Sequence, residues 1–141
     1  MKRFFNISLI IIVFAGVLAI NAHAQTKVIA NVPFAFSAGK TTLPAGRYTI
    51  TVLNPASDRK ILQIRSLNGR SSAVVLTTGI FGNVSDDAKL VFERYGDRYV
   101  FAHAQMAGDD TALAAVRSKS DRSDKHVATA GKKSVVVIVA E

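Results

Sequence analysis

The chain contains no cysteine. That excludes disulfide staples, on which small exported domains often rely, and it removes the attachment point of a bacterial lipoprotein. Histidine is nearly as scarce, at three residues. His23 lies in a segment expected to be removed, which leaves His103 and His126. A metal site would need both of them plus carboxylates, and neither H-x-x-x-H nor HExxH spacing occurs. No G-x-S-x-G is present, so no serine stands out as an activated nucleophile. Phosphate-cradling glycine loops and aromatic platforms for nucleic acid are missing as well. The residues therefore designate no catalytic group, no metal and no other cofactor. Asp86-Asp87 and Asp109-Asp110 carry no D-x-D-x-D-G pattern and read as solvated loop charge rather than Ca²⁺ ligands.

Acid is sparse too, with 10 Asp and Glu against 18 Lys and Arg, a formal charge of +8. The imbalance is uneven. Residues 25–57 carry Lys27, Lys40 and Arg47 and no acid, whereas Asp86 to Glu93 is locally acidic. Such a surface attracts polyanions in general. No dense Lys/Arg block with interleaved aromatics points to nucleic acid.

What is present begins with an address. Met1-Lys2-Arg3 is cationic, Leu9 to Ile20 is an unbroken run of apolar or small residues, and Ala22-His23-Ala24 follows. That order is the layout of a secretory signal peptide cut after Ala24, with Ala22 and Ala24 as the small residues of the cleavage site. An uncleaved anchor is the competing reading. A spanning helix needs about 20 predominantly apolar residues, and here Asn6 and Ser8 interrupt a shorter stretch. Cleavage takes Lys2 and Arg3 away, lowers the charge from +8 to +6, and leaves residues 25–141 as a single β-rich domain without an integral membrane span. The expected location is periplasmic or extracellular.

The remaining chain reads as short strands. From Lys27 to Phe36, Val28, Ala30, Val32, Phe34 and Phe36 share one face, with Pro33 marking an edge or bulge. Ser37 to Lys40 and Leu43 to Gly46 read as turns, Gly46 being free to take positive φ. Arg47 to Leu53 alternates with Tyr48, Ile50 and Val52 inward. Asn68-Gly69 signals a hairpin with a two-residue type I′ loop, which sets Ile64 opposite Ala73 and Leu62 opposite Val75. Gly79 to Lys89 reads as a loop. A second hairpin turns at Gly96-Asp97, with Phe92 opposite Phe101 and Arg94 opposite Tyr99. His103 is expected on the face of Phe101 and Tyr99 as a half-buried structural residue. Residues 107–133 read as an irregular or partly helical excursion, though a strand at Ala112 to Val116 is also open. Ser134 to Ala140 is a continuous β-branched run that fits a central strand buried on both faces. The total is about seven short antiparallel strands, an all-β sandwich or barrel.

Val32-Pro33-Phe34-Ala35-Phe36, Leu43-Pro44-Ala45-Gly46-Arg47-Tyr48 and the run from Leu90 to Tyr99 together resemble a family of small secreted bacterial β-rich proteins of unknown function, with the pattern VPFxF…LPAGxY…LxFxRYGDxY. The likeness spans most of residues 30–105 and stops after Gln105. It implies a secreted β domain and no particular activity.

The most unusual local cluster is Arg94-Tyr95-Gly96-Asp97-Arg98-Tyr99. Two arginines beside two tyrosines are able to hold a carboxylate, a phosphate or a sugar ring, which makes Arg94, Tyr95, Asp97, Arg98 and Tyr99 candidate ligand-binding residues. The plainer alternative is an ordinary hairpin in which Asp97 caps the turn. The functional expectation is a non-enzymatic binding or structural module of the envelope or extracellular space. Its partner would be an anionic envelope polymer or another envelope protein. A small hydrolase acting on polysaccharide or peptide is the alternative. A concave pocket holding Arg94, Arg98 or His103 with a carboxylate would favour the hydrolase.

Overall fold

The computed structural model describes residues 26–117 and 134–141. Ala22, Ala24 and His126 lie outside the described residues. Within them there is no helix, and ten strands form one mixed sheet. The strands are β1 Lys27–Val32, β2 Phe36–Ala38, β3 Thr41–Leu43, β4 Gly46–Val52, β5 Ile61–Ser66, β6 Ser72–Phe81, β7 Lys89–Tyr95, β8 Arg98–Gln105, β9 Thr111–Ala115 and β10 Ser134–Val139. The all-β expectation holds, and the count is ten rather than seven. The three additional strands are β2, β3 and β9, each five residues or shorter.

Hydrogen bonding runs in the order β1-β4-β5-β6-β9-β8, and β8 also pairs β7, which pairs β10. At the far end the Glu141 N–H donates to the Ile29 carbonyl, so the end of the chain returns to β1. β6 joins the two parts of the path. Ser72 to Leu76 pairs β5, and Thr77 to Phe81 pairs β9. The short β2–β3 hairpin attaches to β8 through a parallel bridge at Ser37 and Val100.

Period-two patterning decides the core. Val28, Ala30 and Val32 of β1, Tyr48, Ile50 and Val52 of β4, Leu62 and Ile64 of β5, and Ala73 and Val75 of β6 are all buried. An aromatic group fills the space between these strands and β7–β8. Phe92 meets Phe34, Phe36 and Phe101 edge-on, and Phe36 meets Tyr48 the same way. Such contacts add to area burial because ring edges and faces carry opposite partial charge. Thr77 is a buried polar side chain, satisfied by donating from Oγ1 to the Lys60 carbonyl at 2.8 Å.

Several local expectations change. Pro33 ends β1 and the chain restarts as β2, so the first segment is two strands, and Phe34 between them is only half-buried. Gly39, at φ 59°, turns β2 into β3 where only a turn was expected. Gly46 does not take positive φ; it opens β4 opposite Val32. The Asn68-Gly69 hairpin has the expected register, Ile64 with Ala73 and Leu62 with Val75, but not the expected turn. Gly69 has φ 72° and Asn68 does not have positive φ. The Gly69 N–H donates to the Ser66 carbonyl instead, and the Asn68 carboxamide oxygen accepts from the Ser66 hydroxyl and the Arg70 N–H. A longer loop with the same pairing sum preserves the register.

Gly79 to Phe81 is strand rather than loop, held by pairing to β9 although its side chains gain no burial pattern. The alanine-rich patch after Asp110 is β9, lying between β6 and β8. β10 is not buried on both faces. Val136 and Ile138 pack on the core, while Val135, Val137 and Val139 are at least half exposed. Among the described residues β10 pairs along one edge with β7.

Candidate functional site

The outward positions of β1, β4 and β5 are built by the same alternation that fills the core. With Tyr48, Ile50, Leu62 and Ile64 inward, Thr49, Thr51, Gln63 and Arg65 must point outward. Register then aligns them in rows. Lys27 stands opposite Thr51, which stands opposite Gln63; Ile29 stands opposite Thr49, which stands opposite Arg65. Between these rows lies a groove of about 400 Å³ lined by Lys27, Thr49, Thr51, Gln63 and Arg65, together with Leu53 and Leu67.

The groove is cationic by position as well as by composition. No outward residue of β1, β4 or β5 is a carboxylate. Among the described residues, Lys27 and Arg65 meet no acid. Arg47, on the adjoining row opposite Asn31, differs in this respect: its Nη2 donates to Glu141 Oε2 at 2.6 Å. The Arg65 guanidinium reaches back over the hairpin, where a Cβ on Gly69 would stand 3.6 Å from Nη2, an ordinary van der Waals contact. The arrangement offers two positive charges, two hydroxyls and an amide along one surface, and it contains no histidine or carboxylate for proton transfer.

The cluster at Arg94 to Tyr99 is split by its own hairpin. Phe92 pairs with Phe101 and Arg94 with Tyr99, as expected, and Tyr95 pairs with Arg98. Adjacent residues on a strand point to opposite faces, so Arg94 and Tyr99 share one face and Tyr95 and Arg98 the other. On the first face Tyr99 stacks on Phe34 with centroids 3.9 Å apart, and the Arg94 guanidinium sits 5.5 Å from the Tyr99 ring centre. The side-chain bond into the turn comes from Arg94, whose Nε donates to the Gly96 carbonyl at 2.7 Å. Asp97 is exposed at the tip.

On the second face the Tyr95 hydroxyl and Arg117 Nη2 both donate to Glu93 Oε2, and Arg117 Nη1 donates to the Tyr95 oxygen at 3.2 Å. Burial disfavours the charge on Arg117, yet the hydrogen bonds and attraction of Glu93 and Tyr95 hold its pKa raised. His103 comes to this face. A bulge between Val91 and Phe92 shifts the β7–β8 register, pairing His103 with Val91. It therefore lies opposite to Phe101, not beside it. Burial lowers its pKa, and the Glu93 carboxylate partly offsets the shift. Arg117 gave no signal in the sequence, because nothing local links it to Glu93.

Asp86 and Asp87 are exposed in the loop after β6, and Asp109 and Asp110 in the loop before β9. The Gln105 amide ties these loops by donating to the carbonyls of Asn83 and Asp109. Among the described residues no group of three His, Cys, Asp or Glu side chains is placed to hold a metal ion, and no helix is long and apolar enough to cross a membrane.

The groove residues Thr49, Thr51, Gln63 and Arg65 were missed in the sequence as a site. The usable signal was the acid-free stretch from 25 to 57. No protein-family model, curated protein or solved structure matches the chain.

Proposed function

We propose that the chain is an exported, non-enzymatic binding module of the cell envelope or extracellular space, carried on a closed barrel-like scaffold. The observation that carries the reading is the groove on β1, β4 and β5. It offers hydrogen-bonding and cationic groups along a continuous sheet surface, with no acid–base pair beside them. The scaffold interior favours the same reading. Phe36, Phe92, Phe101 and Tyr48 fill it, leaving binding to the surface. The Glu141 N–H bond to Ile29 supports barrel-like closure.

Export rests on the N-terminal charge, apolar run and A-x-A order. Edman sequencing of the protein recovered from envelope and culture fluid tests it; the mature chain should begin at Gln25. An intact Met1 in a membrane pellet would contradict the cleavage. The binding reading is tested by incubating the purified protein with envelope polysaccharides and peptidoglycan. Retention without release of reducing ends or peptides is expected. Turnover of any of these polymers would contradict it in favour of a hydrolase.

A further inference from the structure

We infer that the groove between Lys27 and Arg65 binds an acidic polysaccharide, a sugar chain bearing carboxylates as well as hydroxyls. The inference rests on the binding-module reading and adds the ligand's chemical class.

Three features of the groove select this class. The first is charge. Lys27 and Arg65 sit two strands apart, roughly 10 Å across the sheet by the usual inter-strand spacing, and neither meets a carboxylate among the described residues. Of the three cations on β1, β4 and β5, Arg47 is paired with Glu141, which leaves Lys27 and Arg65, both in the groove, as the open positive charge of this surface. Arg in particular offers a planar fork that matches a carboxylate.

The second is the surface between the charges. Thr49, Thr51 and Gln63 supply hydroxyl and amide groups able both to donate and to accept, and Thr49 and Thr51 are spaced two residues along one strand. A ligand that alternates hydroxyls with charge satisfies them; a bare phosphate chain leaves the donors and acceptors between the cations underused.

The third is what the lining omits. It contains no aromatic ring. Single-stranded nucleic acid is held largely by stacking of bases on aromatic side chains, so this groove is poorly built for it. A lipid surface calls for an apolar face that enters the bilayer beside the cations. Here Leu53 and Leu67, after β4 and β5, are the large apolar residues of the lining, and Lys27, Thr49, Thr51, Gln63 and Arg65 are polar.

The test measures binding of the purified secreted chain, by calorimetry, to polygalacturonate, to neutral dextran and to phosphatidylglycerol vesicles. Polygalacturonate should bind, and the affinity should fall as salt rises, since screening weakens exposed charge pairs. The double variant Lys27→Gln/Arg65→Gln should lose about tenfold in affinity, about 1.4 kcal/mol. Lys40→Gln/Lys89→Gln, which removes the same charge outside the groove, should bind as the parent does. Circular dichroism confirms that each variant is folded. Equal loss in both double variants would overturn the inference, because net charge alone would then explain binding. Tighter binding to vesicles would overturn it in favour of a lipid surface. Preference for dextran would overturn the acidic class while leaving the binding module intact. No binding to any of the three would overturn both.

Discussion

Arg117 and Glu93 form a half-buried ion pair on the outward face of β7, with side-chain exposures of 22% and 15% and with Tyr95 donating to the same carboxylate oxygen. The pair joins the second residue after β9 to a strand two places away in the sheet, across the intervening β8. Its counterpart, Arg47 with Glu141, has the exposures 53% and 64% and stands in water. Burial should separate the two energetically. Arg117→Gln is expected to cost about 2 kcal/mol, because a charged hydrogen bond is lost where solvent replaces it poorly. Arg47→Gln should cost under about 1 kcal/mol. Urea denaturation of both variants checks the ordering, and equal costs would contradict it.

His103 should give the fold a pH dependence of defined sign. Burial disfavours its imidazolium more than the Glu93 carboxylate favours it, so its folded pKa lies below the ordinary 6.5. The unfolded chain then takes up a proton that the folded chain resists. The His103 contribution is intact above the ordinary value and is lost as pH falls from there through the folded pKa. His103→Gln should flatten the fall in urea midpoint between pH 7 and pH 5. An unchanged profile would mean that the bulge does not bury this ring in solution.

Gly96 isolates the conformational requirement of the second hairpin. It has φ 61°, and a Cβ built on it meets nothing within 4 Å. Gly96→Ala therefore introduces no clash, only the strain of a left-handed backbone on an L residue. A loss of about 1 kcal/mol in thermal or urea stability is expected. A neutral result would indicate that the turn relaxes to another type.

Much of the framework was legible because one face of each principal strand is buried. Tyr48-Ile50-Val52 and Leu62-Ile64 declare their inward side by alternation, and the pairing of Phe92 with Phe101 follows from Gly96-Asp97. What escaped had no local signature. Gly79 to Phe81 is held by ladder bonds to β9 with exposed side chains, so no periodicity marks it. The valines of β10 look like a buried strand, yet whether a β-branched run is covered depends on its neighbours. The His103 face depends on a one-residue bulge at Val91 and Phe92, which composition does not announce. The groove was illegible for a related reason. Lys27, Thr51 and Gln63 are far apart in the chain and become neighbours only through register, whereas Arg94 to Tyr99 are adjacent in the chain and are divided by the strand pleat.

The central claim is that ligand binding belongs to the outer surface of β1, β4 and β5. Titration of the ¹⁵N-labelled protein with polygalacturonate, followed by amide chemical shifts, tests it most directly. The largest changes should fall on Lys27, Thr49, Thr51, Gln63 and Arg65, with Arg94 to Tyr99 little affected. Changes centred on Arg94, Arg98 and Tyr99, or no changes at all, would contradict the claim.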